Sequence, residues 1–125
     1  MTQPLALVLY ERLLPGSQVV NRLQDLNYRV QTVADAAQLA ESAATAKPML
    51  VMVDLDSSRN NVPDGIARLK QDPATKHLPV IAFFSSETPA AVQTAARTAG
   101  ATLIVSEAAI LNHLPQFLDQ ALQVE

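Results

Sequence analysis

Residues 47–56 read KPMLVMVDLD, and the fold turns on them. After Lys47-Pro48 comes MLVMV, a run of strand length with no polar side chain in it. Side chains of a strand point alternately to opposite faces. A run without a polar alternate is therefore covered on both faces, as in a parallel sheet with helices above and below. The run stops at Asp54-Leu55-Asp56, and SSRNNVPDG (57–65) then reads as a polar loop rich in breakers.

The same pattern repeats outward from this strand. LALVLY (5–10) and VIAFF (80–84) are equally apolar, TLIV (102–105) is a shorter version, and Tyr28, Val30 and Thr32 alternate as a further strand. Helical spacing fills the intervals. Pro15-Gly16-Ser17 marks a turn and helix start before Val19, Val20, Leu23 and Leu26, and Asn27 is a stop. Asp35 with Gln38 forms a capping-box pattern ahead of Leu39, Ala40 and Ala43. Ile66 and Leu69 mark a short helix ended by Asp72-Pro73. Thr88 is an N-cap with Pro89 at the first helical position, and AAVQTAARTA runs to Gly100. Pro115 opens a last helix with Phe117, Leu118, Ala121 and Leu122 on its apolar side.

Five strands alternating with five helices predict an α/β domain filling residues 1–125. The topology favoured by right-handed crossovers is the doubly wound, flavodoxin-like parallel sheet ordered 2-1-3-4-5. Its core should hold Leu7, Leu9, Leu23, Leu50, Met52, Val80, Ala82, Leu103 and Val105. Sites in such sheets lie at the carboxyl ends of the strands. That rule brings Tyr10-Glu11, Asp54–Asp56 and Phe84–Ser86 together.

Composition narrows the function. The chain has no cysteine, which excludes disulfides and thiolate metal sites. Twelve acidic residues against nine basic ones, with no basic cluster in the sequence and few aromatics, argue against a nucleic-acid surface. The apolar runs are too short to span a membrane. The opening MTQPLALVLYER lacks a basic region and a small-residue cleavage site, so a cytoplasmic protein is expected. Gly16, Gly65 and Gly100 make no glycine-rich phosphate loop, there is no nucleophile elbow, and His77 and His113 form no metal motif. Nothing in the residue set suggests an enzyme.

KPMLVMVDLD, DGIARLKQDPATKHLPVIAF (64–83) and ARTAGATLIV (96–105) together resemble the response-regulator receiver family over nearly the whole chain. The resemblance implies two-component signal transduction and makes Asp54 the phosphoacceptor candidate. Receivers end the first strand with a pair of acidic residues that hold Mg²⁺; the matching stretch here is Tyr10-Glu11. They end the fourth strand with Thr or Ser, a position that falls on Phe84 counted from Pro79 and on Ser85 counted back from Gly100. They end the fifth with a lysine followed by proline, where this chain has Glu107-Ala108. The loop from Asp54 to Gly65 is longer than is usual in receivers and lacks their early proline.

Phosphoryl transfer depends on positioning and on neutralising charge at the phosphoryl oxygens. Glu11, Asp54 and a carbonyl near Asp56 would leave at most a weak Mg²⁺ site. Glu107 would put a like charge where the family has a cation. Two unit charges about 4 Å apart interact by roughly 4 kcal/mol at an effective dielectric of about 20. The expectation is a protein–protein interaction module with a degraded phosphorylation site, lined by Glu11, Asp56, Ser85 and Glu107. The alternative is a working receiver phosphorylated on Asp54 by a histidine kinase. Receivers commonly signal through their fourth helix, fifth strand and fifth helix. Here the fourth helix, PAAVQTAARTA (89–99), carries one charge, Arg97. Ala91 and Ala95 are the interface candidates, toward a second copy, a kinase or an output domain.

Overall fold

The computed structural model describes residues 4–10, 13–33, 35–55, 61–86 and 88–123. The strands are β1 (Leu5–Leu9), β2 (Arg29–Val33), β3 (Leu50–Asp54), β4 (Val80–Phe84) and β5 (Leu103–Ser106). They form one sheet ordered β2-β1-β3-β4-β5, with every neighbouring pair parallel. The helices are α1 (Leu13–Asp25), α2 (Leu39–Ala46), α3 (Val62–Gln71), α4 (Ala90–Ala99), α5 (Glu107–Asn112) and α6 (Leu114–Gln123), with a 3₁₀ turn at Ala36–Gln38 ahead of α2.

Strand alternation splits each central strand between two cores. Leu7, Leu9, Val51, Val53, Val80 and Ala82 pack with residues of α2, α3 and α4. Ala6, Val8, Leu50, Met52, Ile81 and Phe83 pack with α1, α5 and α6 through Val19, Leu23, Ile110, Leu114 and Leu118. This is why β1, β4 and β3 as far as Val53 carry no polar alternate. Seven of the nine expected core residues are buried, while Leu103 and Val105 are only partly so. The exception is positional, because β5 is an edge strand with β4 as its one sheet neighbour.

Element boundaries depart from expectation in five places. α1 begins at Leu13, two residues before Pro15, since proline is tolerated in a helix's first turn. Asp35 caps the 3₁₀ turn by accepting from the Ala37 N–H at 2.9 Å, and α2 proper begins at Leu39. α3 begins at Val62, so part of the stretch read as loop is helix: Asn61 Oδ1 accepts from the Asp64 N–H at 3.2 Å, and Pro63 sits in the first turn. Pro89, not Thr88, is the N-cap of α4. A short α5 precedes the last helix, which opens at Leu114. Asn27 ends α1 as expected, with a left-handed φ of 69°.

Two contacts hold the α3 layer. Lys70 donates from Nζ to the Leu78 carbonyl at 2.6 Å, and burial holds its ammonium below the usual lysine pKa. Gly65 lets α3 approach the 3₁₀ turn, because a Cβ there would stand 2.9 Å from the Ala36 carbonyl oxygen. Alanine at position 65 would gain up to about 1 kcal/mol of helix propensity. The backbone overlap outweighs it, since overpacking costs about 1–3 kcal/mol. Gly65→Ala is therefore expected to lower the unfolding free energy by roughly 1–2 kcal/mol, read by urea denaturation.

Candidate functional site

Register places the strand ends. Asp54 is level with Phe83 on β4, and Phe83 with Val105 on β5; one step further, Phe84 is level with Ser106. Tyr10 follows β1 and is tied to β2 by donating its N–H to the Val33 carbonyl at 3.3 Å. The topology thus gathers Tyr10, Asp54, Ser85 and Glu107 at one edge, as the strand-end rule requires. Glu11 and Asp56 lie outside the described residues.

Asp54 closes β3 and is 1 % exposed. The Leu55 N–H donates to the Phe83 carbonyl at 2.9 Å, continuing the ladder past the aspartate. A carboxylate in this position is removed from water and needs partners to stay charged.

The end of β4 carries an aromatic ring followed by a buried serine. Phe84 packs against the α2–α3–α4 core. Ser85 is buried and donates its N–H to Thr88 Oγ1 at 3.1 Å, with the two hydroxyl oxygens 3.5 Å apart. Thr88, read from sequence as a helix cap, instead closes the β4–α4 turn from a buried position.

At the end of β5 the chain passes straight into a helix. Ser106 is both the last strand residue and the N-cap of α5, accepting from the Ala109 N–H at 3.1 Å. Glu107 is half-buried in the first turn of α5, where a carboxylate complements the positive end of the helix dipole. The sequence reading matched Glu107 to a strand end but missed the cap. Its signal was present: serine followed by an acidic residue and two alanines is a helix start.

Of the carboxylates expected around Mg²⁺, Asp54 alone is among the described residues, and it is covered. No group of three or more His, Cys, Asp or Glu is placed to hold a metal among the described residues. The described residues do not make a magnesium site. Among them, no helix is long and apolar enough to cross a membrane.

No protein-family model matches the chain, and no curated protein matches it. Solved structures do. The chain is similar to the chemotaxis response regulator CheY4 of Vibrio cholerae, with a TM-score of 0.80 and 19% identity over 96% of this chain and 99% of that one. It is similar to the receiver domain of sensor histidine kinase PA1611 from Pseudomonas aeruginosa PAO1, with a TM-score of 0.83 and 16% identity over 97% and 98% of the two chains. That structure has a magnesium ion coordinated in its active-site cleft. The response regulator domain of Thermotoga maritima CheB gives a TM-score of 0.76 and 19% identity over 99% of each chain. The fold is that of response-regulator receiver domains, with the flavodoxin-like strand order.

The Ser106 cap is testable on its own. Ser106→Ala should cost about 1 kcal/mol of stability, as loss of an N-cap hydroxyl does, while Ser106→Asp should restore most of it. Thermal and urea melts of the two variants check this.

Proposed function

We infer, with the receiver fold as premise, that this chain is a receiver-family signalling module of the cytoplasm, non-enzymatic, that acts by binding other proteins and is not switched by aspartyl phosphorylation. The observation that carries the reading is the end of β5. Where receivers present a lysine, this chain opens a helix with Ser106 as its cap and Glu107 in its first turn. A glutamate there serves the helix and offers no positive charge to a phosphoryl oxygen.

Two further observations support it. Asp54 is 1 % exposed, whereas a phosphoacceptor oxygen has to meet the donor phosphorus in line. Phe84 has no hydroxyl, and the Ser85 hydroxyl sits against Thr88 in the β4–α4 turn. The competing reading, a working phosphoacceptor fed by a histidine kinase, is favoured by the placement of Asp54 at the end of β3. Incubation with a small phosphodonor and Mg²⁺, followed by intact-mass measurement, separates the two. The expected result is no added phosphoryl group. A phosphoryl adduct on the wild type that disappears in Asp54→Asn would establish the competing reading instead.

The face offered to a partner is that of α4. Ala91, Thr94, Ala95 and Thr98 are exposed, Ala96 is buried beneath them, and Arg97 is the helix's single charge. Residues four apart share a helix face, so Ala91 and Ala95 form one small, weakly hydrated surface. Low charge makes desolvation inexpensive and small side chains allow close approach. This face suits a second copy of the chain. Changing Ala91 and Ala95 together to Glu should then convert dimer to monomer in light scattering. Thermal stability should stay nearly unchanged, since exposed substitutions fall within about 0.5 kcal/mol. A wild type that is monomeric at high concentration rules out self-association and leaves α4 to a different protein.

A further inference from the structure

A cavity of about 310 Å³ opens between the C-terminal end of α2 and the connection from α3 to β4. Its lining includes Pro48, just before β3, and Leu78, just before β4. It therefore lies at the amino ends of the strands, across the sheet from Asp54. Its floor is apolar and buried: Ala43, Pro48 and Leu78. Its rim carries the exposed side chains Lys47 and His77.

The charge around it is one-sided. The chain as a whole carries a net charge of −3 and has three lysines, Lys47, Lys70 and Lys76. All three belong to this region. Lys47 lines the cavity, Lys76 precedes His77, and Lys70 Nζ is held on the Leu78 and Lys76 carbonyls at 2.6 and 3.4 Å. No lining residue is acidic. Asp72, the acidic residue of the connection, accepts from the Ala74 N–H at 2.9 Å within its own turn. Glu41 of α2 lines a separate polar groove with Gln38 and Thr45. The C-terminal end of α2 adds a partial negative charge of about half a unit, which the full charge on Lys47 outweighs.

We propose that this cavity binds a small organic carboxylate with an apolar body. The carboxylate accepts hydrogen bonds from the Lys47 ammonium and a His77 ring N–H, and the apolar body rests on Ala43, Pro48 and Leu78. Such charge-assisted bonds supply orientation, and the buried floor supplies affinity. The volume sits near the lower bound for ligand pockets, roughly 300 Å³, which sets the ligand at a short chain or a single ring. The inference does not depend on the state of Asp54. A ligand here would touch α2 and the α3–β4 connection, giving the domain an input at the end of the sheet remote from the phosphoacceptor position.

Amide-resolved NMR titration of the full chain with sodium octanoate tests the proposal. Saturable shifts are expected at Ala43, Ala44, Lys47, Ala74, His77 and Leu78, with a Kd on the order of 1 mM or tighter. 1-Octanol, with the same chain and no charge, should bind about tenfold more weakly or worse. Lys47→Glu should weaken octanoate by at least about tenfold with an unchanged melting temperature, and His77→Glu gives the same reading if the first variant is unstable. Absence of saturation, saturable shifts centred elsewhere, equal affinity for octanol, or wild-type affinity in both variants would each overturn it.

Discussion

Burial of the three central strands on both faces is the constraint from which the rest of the structure follows. β1, β3 and β4 each give one set of alternate side chains to the α2–α3–α4 core and the other to the α1–α5–α6 core. A strand covered twice has to be parallel to its neighbours, because the covering helices are also the crossovers between strands. Parallel pairing in turn brings all carboxyl ends to one edge of the sheet. The meeting of Asp54, Ser85 and Glu107 at that edge is a consequence of hydrophobic burial, with no contribution needed from the site residues themselves.

The edge that results is built for structure. Four residues described at this edge have a local structural role. Phe84 extends the core, Ser85 meets Thr88 in the β4–α4 turn, and Ser106 and Glu107 start α5. A side chain committed to a turn or a cap can be redirected to a ligand only by giving up that interaction. The receiver architecture does not depend on the residues at this edge, since the fold rests on apolar runs that those residues interrupt only at their ends.

The two ends of the sheet differ in kind. The carboxyl end has a covered aspartate and residues engaged with one another. The amino end, beside α2 and the α3–β4 connection, has an apolar cavity with Lys47 and His77 at its rim. Lys70 links this region to α3, and its stem lies close to Gly100, where an added Cβ would come within 2.9 Å of Lys70 Cγ. The contact joins the connection to the end of α4, the helix whose outer face is nearly uncharged.

The sequence by itself determined the strand runs, their parallel order and most of the core, because an apolar run of strand length has one low-energy environment whatever surrounds it. It also determined that Asp54 stands at a strand end and that no lysine follows β5. It did not reveal that Leu103 and Val105 would be only partly buried, since edge or centre is a property of strand order and not of either residue. Nor did it separate Thr88 from Pro89 as cap, or disclose the start of α3 at Val62, because a capping side chain is chosen by where the backbone turns. The concentration of lysines 47, 70 and 76 beside His77 was invisible for a related reason. Lys70 and Lys76 are near His77 in sequence, but Lys47 is distant, and only the packing of α2 against the α3–β4 connection, with Ala43 and Leu78 both buried, brings it beside them.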